Sequence, residues 1–151
     1  MKLIAGALFV LVAASAGALW ARRRLLVVTV RGASMAPTLN DGDRVLVRRR
    51  RIDQVNRGDV VVLEPPAGPA GQDILEAPPG DDGRRWNIKR AIALPGDPVP
   101  PGVADPAATV PAGALVVYGD NPTSLDSRQR GFFHADHLFG VALRRLGGPP
   151  L

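Results

Sequence analysis

Apolar positions fall into two patterns along this chain: one long unbroken run at the start, then several short β-branched runs separated by turn residues. From Leu3 to Trp20 there are 18 residues without a charge. A helix of that length spans roughly 27 Å at about 1.5 Å per residue, enough to cross a bilayer core. Trp20 stands where an interfacial aromatic belongs, just before Arg22, Arg23 and Arg24. Residues 1–24 are therefore predicted to be an N-terminal membrane anchor. The rival reading is a cleavable secretory signal, because Lys2 supplies a minimal basic start and Ala16-Gly17-Ala18 has a small-x-small form.

Beyond the anchor, Leu25 to Val30, Arg44 to Val47, Asp59 to Leu63, Trp86 to Leu94 and Ala114 to Tyr118 are predicted strands. Proline and glycine mark Pro65 to Gly83 and Pro95 to Pro111 as loops, and Gly147 to Leu151 as a tail. With 17 glycines, 15 prolines and only 5% aromatics in 151 residues, the composition favours a single mainly β domain with many turns over a helical bundle. Cysteine is absent, which removes disulfides, thiol nucleophiles and thiolate metal sites.

The net charge of +5 is carried mostly by arginine, with one run at Arg22 to Arg24 and another at Arg48 to Arg51. Lipid headgroups and nucleic acid both offer phosphates to such runs. Neither run is interleaved with aromatics that could stack on bases, so no nucleic-acid partner is expected. The runs read as a membrane flank and a solvated strand end.

The chemistry lies in four short blocks in fixed order. They are Gly32-Ala33-Ser34-Met35-Ala36-Pro37-Thr38-Leu39, Arg57-Gly58-Asp59-Val60-Val61, Ile88 to Asp97 beginning Ile-Lys-Arg, and Gly119-Asp120-Asn121 leading into Ser124-Leu125-Asp126-Ser127-Arg128. Together they resemble the type I signal peptidase family, over roughly Val30 to Leu143 plus the anchor. The resemblance implies an antiparallel, partly open β-barrel or sandwich catalytic domain over residues 25–146, behind one transmembrane helix. It implies Ser34 as nucleophile and Lys89 as general base, with no cofactor and no metal. Ser124 would hydrogen-bond the lysine amine, Asp126 and Arg128 would form a supporting ion pair, and the Ser34 backbone N–H would serve the oxyanion hole. Some members add a serine hydroxyl two residues before the nucleophile; here that position is Gly32.

The implied dyad is chemically coherent, since a serine hydroxyl attacks a carbonyl once a neighbouring neutral amine takes its proton. An unperturbed lysine is charged at pH 7, and neutralising it costs about 4.6 kcal/mol. Lys89 must therefore be desolvated, and Trp86, Ile88, Ala91 and Ile92 are apolar neighbours in sequence. Segments Val27 to Arg31 and Trp86 to Ile88 would flank a cleft in which an extended substrate adds as a strand. His134 and His137 are three apart, without a carboxylate cluster beyond Asp136, and the dyad does not use them.

The implied substrates are precursor proteins cut after small residues, with membrane lipid as a further partner. Two other readings stand beside this one. One is a dedicated maturation peptidase of the nickel superoxide dismutase type that trims one precursor with a cytoplasmic active site; separately, only 21 residues lie between Asp97 and Gly119, which reads as a minimal catalytic core. A membrane-bound β scaffold binding anionic partners is the non-enzymatic alternative. Charge counting across the anchor favours a cytoplasmic domain, whereas the resemblance implies an extracytoplasmic one.

Overall fold

The computed structural model describes residues 24–65, 79, 83–148 and 151. Seven strands form one antiparallel sheet: β1 Leu25–Thr29, β2 Arg44–Arg49, β3 Val60–Leu63, β4 Asn87–Ala93, β5 Ala114–Tyr118, β6 Phe133–His134 and β7 Leu138–Arg145. Their order is β1-β2-β7-β3-β4-β5-β6, so the sheet is open, with β1 and β6 at its edges. The mainly β, antiparallel expectation holds in this open form. The expected anchor, residues 1–24, lies outside the described residues except for Arg24. Among the described residues no helix is long and apolar enough to cross a membrane.

All five predicted strands are present. β2 runs on past Val47 because its ladder with β7 continues through Arg48 opposite Val141 and Arg49 opposite Gly140. Strands β6 and β7 were not predicted, yet β7 lies inside the sheet, bonded to β2 on one side and β3 on the other. The Pro95 to Pro111 loop is closed by a bridge between Pro98 and Thr109 and buries Val110. Most of the Pro65 to Gly83 segment lies outside the described residues.

Successive residues of a strand face opposite sides of the sheet, and β3 is apolar at every position because both sides are covered. Val60 and Val62 pack with Val28, Val45, Val47, Trp86 and Ile88. Val61 and Leu63 pack with Val55, Ala91, Leu115, Val117 and Val141 on the other side. Each buried valine, leucine or isoleucine among them contributes roughly 1.5–3 kcal/mol. The first cluster also takes in Met35 and Leu39 from the turn after β1, so the core itself holds the segment that carries Ser34.

Candidate active site

The chain leaves β1 through Val30, whose N–H donates to the Asp43 carbonyl at 2.7 Å. Gly32 follows with φ of 83°, a region that disfavours any side chain, and its N–H donates to Asp41 Oδ1 at 2.7 Å. The glycine two residues before Ser34 is thus built into the turn. Met35 and Leu39 are fully buried, and the Leu39 N–H closes the turn onto the Met35 carbonyl at 2.9 Å. Ser34 sits half-buried just before this plug.

Lys89 projects from β4, where its backbone pairs with Val61, and only 2% of it is exposed. Its Nζ donates to Ser124 Oγ at 2.8 Å, and Ser124 is itself buried. Ser34, Lys89 and Ser124 line one cleft of about 230 Å³, together with Val30, Trp86 and Ile88. Three residues spread over 91 positions of sequence thus meet at one opening.

Asp126 and Arg128 are ion-paired, with the Arg128 Nε and one terminal nitrogen reaching the two carboxylate oxygens at 2.9 and 2.6 Å. The Asp126 side chain is fully buried, and it caps the short helix α1, Ser127–Arg130. It also accepts the Gly119 N–H at 2.8 Å, which ties the end of β5 to the Ser124 segment. Burial pushes the Asp126 carboxyl up, but the Arg128 guanidinium and the N–H groups of Gly119 and Arg128 outweigh it and hold the carboxyl below its usual range. Arg128 also lies over the Tyr118 ring at 5.0 Å.

Several residues of the matched blocks do work that the sequence reading did not assign. Arg90, next to Lys89, forks onto Asp120 at 2.8 and 2.6 Å and donates to the Gly58 carbonyl at 2.8 Å. The Arg90 guanidinium, helped by a hydrogen bond from Thr38, holds the Asp120 carboxyl below its usual range. One network therefore joins the Lys89 strand, the Gly119 turn and the turn that carries Ser34. Gly119 is needed for close approach, because a Cβ there would overlap Ser124 Oγ and the Ser34 carbonyl oxygen. Asn121 bonds both Ala33 and Ser34 through their carbonyls. The signal for these residues was present, since each falls inside a recognised block, but a block does not say which neighbour touches which.

The two histidines stand apart from the cleft. His134 is exposed on β6, and His137 Nε2 is 3.8 Å from Asp136 Oδ1. Among the described residues no group of three His, Asp or Glu side chains is arranged to hold a metal.

A family model described as signal peptidase, peptidase S26, matches residues 2–102 and 101–146. The chain belongs to the signal peptidase family, S26. It is similar to a probable signal peptidase I-1 of Synechocystis, at 34% identity over 137 residues, covering 75% of this chain and 66% of that protein. It is also similar to a signal peptidase I of Bacillus licheniformis, at 36% over 72 residues, covering 46% of this chain and 31% of the relative. A signal peptidase I of Bacillus amyloliquefaciens is 33% identical over 72 residues, with coverage of 46% and 30%. The chain thus spans 66% of the first relative and about a third of the signal peptidase length in the two Bacillus proteins. All four sequence blocks lie within the family match.

Proposed function

We propose that this chain is a membrane-anchored serine endopeptidase that removes signal or leader segments from precursor proteins, with Ser34 as nucleophile and Lys89 as general base. The observation that carries the reading is the buried Lys89 amine, bonded to Ser124 Oγ at 2.8 Å in the cleft that Ser34 lines. Burial disfavours the ammonium, and a neutral amine can take the Ser34 proton. Ser34 Oγ then bonds to the scissile carbonyl carbon while the carbonyl oxygen becomes an alkoxide facing the Ser34 N–H. The alkoxide collapses, the leaving amine takes the proton back from Lys89, and water later releases the acyl group by the reverse sequence. Asp126 and Arg128 hold the Gly119 and Ser124 segments in place and touch no reacting atom.

The substrate side of the proposal rests on the cleft walls. Val30, Ala33 and Ile88 leave apolar space of small volume, which suits small side chains at the first and third positions before the cut. β1 is an edge strand, and Val30 and Arg31 beyond it line the same cleft as Trp86, Asn87 and Ile88, which suits an extended peptide added along that edge. The apolar run supports anchoring through residues 1–24, and the family resemblance supports an extracytoplasmic domain. One feature favours the narrower maturation role: only 21 residues, β5 among them, separate Asp97 from Gly119. A scaffold has no use for a buried lysine aimed at a serine.

Ser34→Ala removes one hydroxyl from a half-buried position and is expected to abolish cleavage of an alanine-containing precursor peptide while melting like wild type. Undiminished turnover by that variant would end the assignment.

A further inference from the structure

The Ser34 N–H belongs to the same planar unit as the Ala33 carbonyl, and in a trans peptide the two point to opposite sides. Asn121 Nδ2 donates to the Ala33 carbonyl oxygen at 3.0 Å. The Asn121 backbone N–H donates to the Ser34 carbonyl oxygen, also at 3.0 Å, so both peptide units around the nucleophile are held by one residue. The side chain of Asn121 is locked in turn, because its Oδ1 accepts from the Thr123 N–H at 3.0 Å and from Thr123 Oγ1 at 2.9 Å. That fixes the amide with its NH₂ toward Ala33. The Ala36 N–H is a second donor to the same Ala33 oxygen, at 3.0 Å. Among the described residues no backbone carbonyl accepts the Ser34 N–H.

We propose that Asn121 is the positioning residue of the oxyanion site: by holding the Ala33 carbonyl it turns the Ser34 N–H toward the place where the substrate oxygen gains charge. The role rests on the serine-peptidase reading above. In the step concerned, Ser34 Oγ bonds to the carbonyl carbon, the carbonyl π bond opens to an alkoxide, and the Oγ proton passes to Lys89. A peptide plane free to rock aims its donor at that alkoxide only part of the time. Asn121 touches no reacting atom and acts only through this plane.

The decisive variant is Asn121→Asp, which keeps the oxygen that accepts from Thr123 but replaces the donor to Ala33 with a second acceptor. Full-length wild type and variant are compared in detergent micelles on a peptide with alanine at the first and third positions before the cut. Two inhibitors of the same sequence accompany it: an aldehyde, which forms a tetrahedral adduct with Ser34, and a reduced amide, which has no scissile carbonyl. Because the Ala36 N–H still holds the plane, kcat is expected to fall about tenfold, less than the roughly 10²–10³ for loss of a whole oxyanion donor. Aldehyde affinity falls by the same factor, while reduced-amide affinity, KM and melting temperature stay at wild type. Wild-type kcat and aldehyde binding in Asn121→Asp would overturn the proposal. So would equal weakening of both inhibitors, which marks a residue that shapes the cleft rather than the oxyanion site. A wild-type chain that cleaves nothing and binds no aldehyde would overturn the peptidase reading itself, and this role with it.

Discussion

The segment from Gly119 to Arg128 and the run from Arg48 to Asp53 both carry arginine–aspartate pairs two residues apart, but they are built differently. Asp126 is fully buried, its partner Arg128 is 29% exposed, and the carboxylate also collects two backbone N–H groups. Arg51 and Asp53 make an equally good fork, at 3.1 and 2.7 Å, with 82% and 56% of their side chains in solvent. Water competes for every bond of the second pair and for few of the first. The same local motif is thus a structural tie in one place and surface decoration in the other, and burial makes the difference.

Removing the guanidinium from the buried pair is the harshest way to test that contrast. Arg128→Ala strands the Asp126 carboxylate, and a loss of about 3 kcal/mol is expected, read as a lower denaturant midpoint. Turnover should fall with it, because the Gly119 turn and the Ser124 segment lose their common anchor. A variant with the midpoint and rate of wild type would reduce this pair to the status of the exposed one.

Acid gives a milder version of the same test. The Asp126 carboxyl is held below its usual range in the folded chain, so the native state binds this proton less readily than the unfolded state. The stabilisation is complete above the unfolded value of about 3.9 and is lost as pH falls through the lower folded value. Thermal melts should show Asp126→Asn losing less than wild type between pH 5 and the acid limit of about pH 2. Equal losses would mean that other carboxylates carry the whole acid response. The smallest effect belongs to the exposed pair: Arg51→Ala should leave both melting temperature and turnover at wild type, and a clear loss would show that burial is not what separates the two regions.

How much of this was legible beforehand depends on whether a feature is local. β1 and β5 are uninterrupted β-branched or apolar runs between turn signals, and their spans were readable to within a residue. β7 was missed although it is bonded on both sides. Its sequence Leu-Phe-Gly-Val-Ala-Leu-Arg-Arg mixes a glycine and an alanine into the apolar run and ends in charge, so no clean two-residue alternation marks it. Only its neighbours, β2 and β3, define it as a strand. The site shows the same division. Ser34, Lys89, Ser124, Asp126 and Arg128 were named through ordered blocks, and the structure gathers the first three around one cleft. The Arg90–Asp120 fork and the Asn121 clamp join positions 30 and 88 residues apart, and no sequence pattern gives that pairing.

The central claim is that a lysine and not a histidine supplies the base, and kcat/KM against pH tests it most directly. The measurement runs from about pH 5 to 10 on wild type and on the double variant His134→Ala with His137→Ala, because the free enzyme's base sets the acidic limb. Activity that rises through neutral pH to an alkaline optimum, with the same profile in both proteins, is the predicted result. An acidic limb near pH 6.5 that disappears in the double variant would contradict it, and the Ser34–Lys89 dyad would have to be abandoned.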